Sequence, residues 1–533
     1  MQNKQYELYN ADYCENLKDF ILYCSKKYGE SLAIQYGDTK RSYIELDNEI
    51  KYLGTKLIND FGTKSNIAVI GENSYNWILV YLATVCSGNT IVPIDKELDF
   101  ESIKNIIEST DCKAVFCSEK YCELKCNAVM VNTESELKKY IDEGKREYEK
   151  DSKKYNDVII NNEDVATIIY TSGTTGVAKG VMLTHQNLCA NIYRSSRNLL
   201  LTGSSVLVLP LHHTFAFTAN VLCMLNIGHP IYINKSLKRV TKDMIEYKPK
   251  VMFVVPMIVE TFYKKIWSTA KENKKDKILR CLIKISNTLL SIGIDVRRKV
   301  FKSVINAFGG ELEIIICGGA LLDKKYVKAF EELGITLLNG YGITECSPIV
   351  AVNRNKYNKP GTVGLPLNGI EVKIDNNKTG EKDGEILVKG DIVMKGYFNN
   401  QEKTNEVFTE DGFFRTGDIG YVDEDGFLYI TGRIKNIIIL DNGKNIYPEE
   451  IELVLLDDDG INEVVVREKD KKIIAEIYPN EEYIKSNSEL GVENYLKKAI
   501  ETYNKDVPMY RQINDIVLRD SEFPKTTTKK IRR

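Results

Sequence analysis

The chain reads as an α/β protein with three parts: a large N-terminal region of sheets and helices, a small β-rich subdomain after about residue 360, and a strand–helix block over 434–533. Three observations predict this. Short apolar runs alternate with amphipathic stretches over residues 64–130, and the alternation returns at 205–210, 251–256, 313–317 and 335–339. Beyond 360 the runs shorten and are separated by Gly and Asp turns. Strands alternating with helices imply largely parallel sheets covered by helices.

Taken in order, residues 66–71 read as a buried strand, 77–86 have helical apolar spacing, and 90–94 form a strand again. Residues 114–117 read as a short buried strand followed by a turn or helix from Tyr121. The runs at 371–374, 385–388, 413–414 and 427–430 suit a small distorted β-barrel. There is no internal repeat and no low-complexity segment.

At 533 residues, with 43% hydrophobic and 28% charged, the composition is globular and excludes disorder as the main state. Lys and Arg number 73 against 75 acids, for a net charge of -2, which argues against a nucleic-acid partner. The apolar run at 251–259 falls well short of the roughly 20 residues that span a bilayer. Residues 1–24 are polar and tyrosine-rich, unlike a signal peptide, so a cytoplasmic protein is expected. Twelve scattered cysteines predict reduced thiols. Among Cys112, Cys117, Cys122 and Cys126 only the last spacing approaches a zinc pattern, so ordinary thiols are expected there. Residues 264–302 hold twelve Lys/Arg against three acids, with apolar residues near helical spacing. That segment reads either as a solvated face on a core-packed helix pair or as a surface that lies on anionic membrane.

The chemistry concentrates in Tyr170-Thr171-Ser172-Gly173-Thr174-Thr175-Gly176-Val177-Ala178-Lys179-Gly180, which follows one apolar run and precedes another. Small residues, hydroxyls, inward-pointing N–H groups and one ammonium are the parts of a polyphosphate cradle. The loop is not a Walker A motif, because Lys179 is followed by Gly180 and the glycine spacing differs.

This loop resembles the phosphate-binding signature of adenylate-forming (AMP-binding) enzymes, and other motifs agree in order and spacing. Leu209-Pro210-Leu211-His212-His213-Thr214-Phe215 looks like the family's motif beside the acyl pocket, and Gly318-Gly319-Ala320 like its glycine-rich wall. Asn339-Gly340-Tyr341-Gly342-Ile343-Thr344-Glu345 matches YGxTE, Thr416-Gly417-Asp418 matches TGD, and Gly432-Arg433-Ile434-Lys435 matches the hinge. The loop at Gly443 and the tail Pro524-Lys525-Thr526-Thr527-Thr528-Lys529-Lys530 complete the set. The resemblance implies an N-terminal domain of two layered αβ sheets plus the small barrel over 1–432, and a mobile α+β domain over 433–533 hinged near Lys435.

It also implies the roles. Thr171, Ser172, Gly173, Thr174, Thr175, Gly176 and Lys179 would cradle the phosphates of ATP, with Glu345 and Thr171 on a magnesium ion. Thr344 would donate to the α-phosphate, Tyr341 would stack on adenine beside Asn339 and Gly342, and Gly318, Gly319 and Ala320 would wall the adenine and acyl sites. Asp418 would accept from the ribose hydroxyls, Arg433 would reach the ribose or phosphate, and Lys530 would sit between the carboxylate and the α-phosphate. His213 would wall the acyl site, His185 would pack behind the phosphate loop, and Gly443 would let a pantetheine arm pass. The sequence departs from the family pattern at Lys529, where glycine is usual, and at Asn436, where aspartate is frequent.

The 212–215 motif, Glu345-Cys346-Ser347-Pro348 and residues 360–366 look most like long-chain fatty acid–CoA ligases. The expected partners are therefore a medium- or long-chain fatty acid, ATP, Mg²⁺ and CoA. Two alternatives stay open: delivery to a separate acyl carrier protein, since only three residues follow Lys530, and a non-catalytic nucleotide- or acyl-binding homologue.

Overall fold

The apolar runs at 66–70, 90–93 and 112–117 have almost no polar face, and each becomes a strand buried on both sides. They sit in a seven-stranded sheet ordered Gly396–Tyr397, Lys179–Thr184, Val165–Thr171, Thr90–Pro93, Asn66–Ile70, Cys112–Cys117, Val129–Asn132. Neighbours are parallel from Val165–Thr171 onward and antiparallel at the other end. A nine-stranded sheet runs Leu365–Pro366, Ile349–Val352, Thr336–Gly342, Ile314–Cys317, Val251–Val254, Ser205–Leu207, Ile231–Ile233, Leu32–Tyr36, Thr39–Ser42. Its centre is parallel and its two ends are antiparallel.

This computed structural model describes residues 6–171, 178–376, 383–439, 445–469, 472–525, 531 and 533. They divide into a first unit, residues 1–371 with 388–414, and a second, residues 372–387 with 415–533. The expected boundary at 433 thus differs from this grouping, in which 415–432 fall with the C-terminal residues.

Within the first unit, helix Tyr75–Cys86 explains the layering. Every residue except Asn76 is buried, and the helix touches strands Asn66–Ile70 and Thr90–Pro93 of one sheet and Leu32–Tyr36 of the other. A helix apolar all round needs such a two-sided environment. Helix Tyr43–Phe61 starts at a reciprocal cap, Ser42 with Glu45, and packs against helix Leu137–Lys150. The approach is close: a Cβ on Gly144 would lie 1.9 Å from the Tyr52 carbonyl oxygen.

The small β element, whose strands fall largely in the second unit, is a four-stranded sheet ordered Glu371–Asp375, Gly384–Lys389, Phe414–Val422, Leu428–Arg433, with no pairing among the described residues that closes it into a barrel. A three-stranded sheet, Ile461–Lys469, Lys472–Pro479 and Asp515–Leu518, forms a core with helices Pro448–Leu455 and Val492–Lys505 through Ile451, Val464, Ala475, Ile477 and Leu496.

All twelve cysteines are free, and Cys281 is the exposed one among them. Cys117 and Cys122 sulfurs lie 3.4 Å apart. No helix among the described residues is long and apolar enough to cross a membrane.

Gly144→Ala is expected to destabilise the fold by about 1–3 kcal/mol, because the methyl meets rigid backbone. A lower urea midpoint with an unchanged slope would show it.

Candidate functional site

Parallel strands present their ligand-facing loops at their carboxyl ends. In the seven-stranded sheet, Thr171 ends one strand and pairs with Lys179, which starts the next. The expected phosphate-loop residues Ser172, Gly173, Thr174, Thr175 and Gly176 lie outside the described residues, as do Gly443 and Lys530. What surrounds Lys179 is defined. Its ammonium lies 4.9 Å from the centre of the Tyr397 ring, and the Tyr397 hydroxyl donates to Glu345 Oε1 at 3.1 Å. Burial, then the Glu345 carboxylate, push the Tyr397 phenol above its ordinary pKa, so it holds its proton as donor.

Glu345 sits in a short turn, Thr344–Cys346, directly after strand Thr336–Gly342. Its carbonyl accepts from Met394 N at 2.8 Å. Asn191 donates its side-chain amide to the carbonyls of Cys346 at 3.1 Å and Ile349 at 2.9 Å, fixing the turn from helix His185–Asn198. Gly342 is required here, since a Cβ would lie 2.0 Å from the Pro348 oxygen. Thr344, Tyr341 and Thr171 are half-buried. Asn339 is buried; its amide donates to Thr362 O at 3.2 Å, and its Oδ1 has no hydrogen-bond partner among the described residues.

The two sheets of this unit meet at residues 209–213. Asn73, after strand Asn66–Ile70, donates to Leu209 O at 2.8 Å and accepts from Leu211 N at 3.0 Å. Buried His212 places Nε2 3.5 Å from Asp95 Oδ1, and its ring centre lies 4.2 Å from that of half-buried His213. Phe215 opens a run of π-helical turns, Phe215–Leu222, and closes on Gly318, where a Cβ would sit 3.2 Å from Phe215 Cζ. Gly319 takes a φ of +88°, and both it and Ala320 are exposed. The structure therefore joins the 212–215 motif to the 318–320 motif. His185 does structural work: its Nδ1 accepts from Leu17 N at 3.2 Å, at the start of helix Leu17–Tyr28.

In the second unit, Asp418 and Arg433 face each other across paired strands, with Arg433 Nε 2.6 Å from Asp418 Oδ1. Asp418 is buried, and its N–H donates to Thr416 Oγ1 at 3.1 Å, whose own proton goes to Ile386 O at 2.8 Å. Lys435 lies in the turn Ile434–Asn436; partial burial, then Arg433 and Arg533, lower its pKa. Lys435, Glu476, Arg519, Phe523 and Arg533 line a cleft of about 490 Å³. The tail flanking Lys530 is tied down: Lys525 bridges to Ile531, its ammonium pairs with Glu463, and Arg533 pairs with Glu452. Burial pushes the Glu452 carboxyl up to about 8, with Arg533 opposing.

Sequence reasoning singled out neither Tyr397, Asn73 nor Asp95. The signal was slight: Tyr397 belongs to a two-residue strand, and Asn73 and Asp95 stand in loops after strands that were recognised.

Residues 23–398 match the AMP-binding enzyme family and residues 435–533 the AMP-binding enzyme C-terminal domain. The chain belongs to the AMP-binding enzyme family. Among its relatives, the long-chain-fatty-acid–CoA ligase FadD15 of Mycobacterium bovis is 30% identical over 448 residues, covering 76% of this chain and 72% of that one. The chloroplastic long-chain-fatty-acid–[acyl-carrier-protein] ligase AEE15 of Arabidopsis thaliana is 27% identical over 551 residues, covering 86% and 75%. The o-succinylbenzoate CoA synthetase of Bacillus subtilis, solved with an acyl-adenylate, shares the fold with a TM-score of 0.75 at 20% identity, over 96% of each chain.

Burial lowers the pKa of His185 to about 4 from 6.5, so the unfolded chain binds the extra proton between those values. Stability contributed by the neutral imidazole is complete above about pH 6.5 and is lost as pH falls toward 4, at up to about 1.4 kcal/mol per unit. Denaturation across that window should steepen for the native chain and flatten in His185→Gln.

Proposed function

We propose that the chain is an AMP-forming acyl ligase that activates a medium- or long-chain fatty acid with Mg-ATP and passes the acyl group to CoA. The observation that carries the reading is the line Lys179–Tyr397–Glu345, an ammonium and an oriented carboxylate at the base of a hydroxyl-rich loop. In the first half-reaction a carboxylate oxygen attacks the α-phosphorus and the bond to pyrophosphate breaks. In the second, the thiol sulfur attacks the acyl carbon, AMP leaves and the thiol proton is released.

Lys179 and the hydroxyls of Thr171, Ser172, Thr174 and Thr175 hold the phosphates, and Thr344 donates to the α-phosphate. Glu345 is an anionic oxygen donor already oriented by one hydroxyl, which suits a hard divalent cation, with Thr171 as second ligand. A magnesium ion held there would supply charge neutralisation for the phosphates. Tyr341, Gly342, Gly318, Gly319 and Ala320 flank adenine, and the Asn339 oxygen, which has no hydrogen-bond partner among the described residues, offers it an acceptor. Asp418, oriented by Arg433, takes the ribose hydroxyls. Lys530 meets the carboxylate and α-phosphate in adenylation. Rotation of residues 433–533 about Lys435 then brings Gly443 to the thiol. His213 and Phe215 wall the acyl side. Orientation and charge account for the chemistry, with no covalent enzyme nucleophile.

The AEE15 relative favours a second reading, delivery to the phosphopantetheine of a separate carrier protein. Pyrophosphate release with Mg-ATP across fatty, aryl and amino acids separates the readings. A fatty-acid preference with release that rises on adding CoA is expected. Release indifferent to CoA but raised by an acyl carrier protein would favour the second reading, and silence with every acid would sink both.

Lys530→Ala is expected to lower adenylation by about 10²–10³-fold with ATP binding nearly unchanged; surviving turnover would remove Lys530 from its role. Tyr397→Phe keeps the ring beneath Lys179 and removes the hydrogen bond to Glu345. It should raise the magnesium concentration for half-maximal activity several-fold, read by magnesium titration at saturating ATP.

A further inference from the structure

Helix Asp276–Ser291 carries two apolar faces. One turns inward: Leu279 is buried with Phe301 and Leu333, and Leu282 and Ile283 pack against them. That face accounts for the helix's place in the fold. The other points away from it. Ile278 is 57% exposed and Ile285 51%, with Cys281 exposed between them at helical spacing, and the stripe continues past the helix end through Ile292 at 66% and Ile294 at 49%. Single exposed isoleucines are ordinary; Ile278, Ile285 and Ile292 at seven-residue spacing on one face, with Ile294 exposed just beyond, need a partner with an apolar interior.

The charges around the strip say what kind. Lys274, Lys275, Lys277 and Lys284 are exposed on this helix and the turn before it, and Lys299 and Lys302 are exposed shortly after. Among the described residues Lys277, Lys284 and Lys299 enter no ion pair, unlike Arg297, which pairs with Asp295 at 2.7 Å. Residues 264–302 hold twelve basic side chains against three acids in a chain whose total is -2, so the remainder is net acidic. A lysine stem lies along apolar surface while its ammonium reaches the polar layer.

We propose that this strip docks flat on an anionic phospholipid bilayer, the isoleucines entering the acyl boundary and the lysines meeting the headgroups. Charge complementarity commits the occupant: the acidic remainder of the chain is repelled by the same surface, so one face approaches it. The helix is too short and too polar to span, which leaves lying on the surface as the mode of contact. This goes beyond the proposed acyl-ligase reading and does not depend on it, because binding is read without ATP or any acid.

The test is co-sedimentation of the full chain with phosphatidylcholine vesicles, with and without phosphatidylglycerol, at low and high salt. The anionic vesicles should bind at least about tenfold more tightly than neutral ones, with the difference shrinking at high salt. The triple variant Ile278→Ser, Ile285→Ser, Ile292→Ser should lose about tenfold or more of that binding, with its circular-dichroism melt unchanged. Lys277→Glu with Lys284→Glu should lose binding to anionic vesicles alone, and it keeps the test decisive if the serine variant folds poorly. No binding by the native chain would overturn the proposal, as would native-like binding by both variants. So would a native dimer that the serine variant dissolves while vesicles stay unbound, which would make the strip a contact between two copies.

Discussion

Asn187 and Asn191 leave one helix and point their side-chain amides at the carbonyls of Asp391, Val393, Cys346 and Ile349. Asn353 does the same for Asn339 and Thr362, and Asn73 for Leu209. A parallel strand ends where its neighbour's hydrogen bonds stop, and the next residues enter a buried loop with backbone groups still to satisfy. These amides supply that satisfaction. Without them the turn carrying Glu345 and the segment carrying His212 and His213 would hold unpaired buried carbonyls, each costing on the order of 1–3 kcal/mol. The site therefore rests on polar side chains that never face it.

Three stretches to which the sequence assigns chemistry have flanks that come together in the same way. Residues 172–177 follow Thr171, which pairs with Lys179; residues 440–444 lie between Ile439 and its partner Asn445; residues 526–530 lie between Lys525 and the nearby Ile531. In the third case Glu463 and Glu452 add ion pairs on either side. Paired flanks of this kind hold the chain firmly on either side of a stretch whose composition is free to serve a ligand.

Much of this was legible in the sequence. The strand runs at 66–70, 90–93, 251–254 and 314–317 were visible because they are buried on both faces and uninterrupted. The π-helical turns at Phe215–Leu222 were not, since an apolar run gives no sign of a wider helical register. Nor was Tyr397: its strand is two residues long, and its meeting with Glu345 spans 52 positions. The expected barrel is a four-stranded sheet because turn spacing marks strands but leaves closure undetermined. The asparagine clamps escaped for the same reason as Tyr397. A side-chain amide bonding a distant carbonyl has no local pattern.

The distribution of sulfur has a practical consequence. Burial drives the thiols of Cys24, Cys86, Cys189, Cys223 and Cys317 well above their ordinary pKa, and an alkylating reagent attacks only thiolate. Cys281 alone is exposed, and it lies between Ile278 and Ile285. The native chain thus carries its own attachment point for a solvatochromic dye, placed by the fold and needing no engineered cysteine. With the half-buried Cys14, Cys122 and Cys126 replaced, the colour of that dye would report the polarity seen by this one helix.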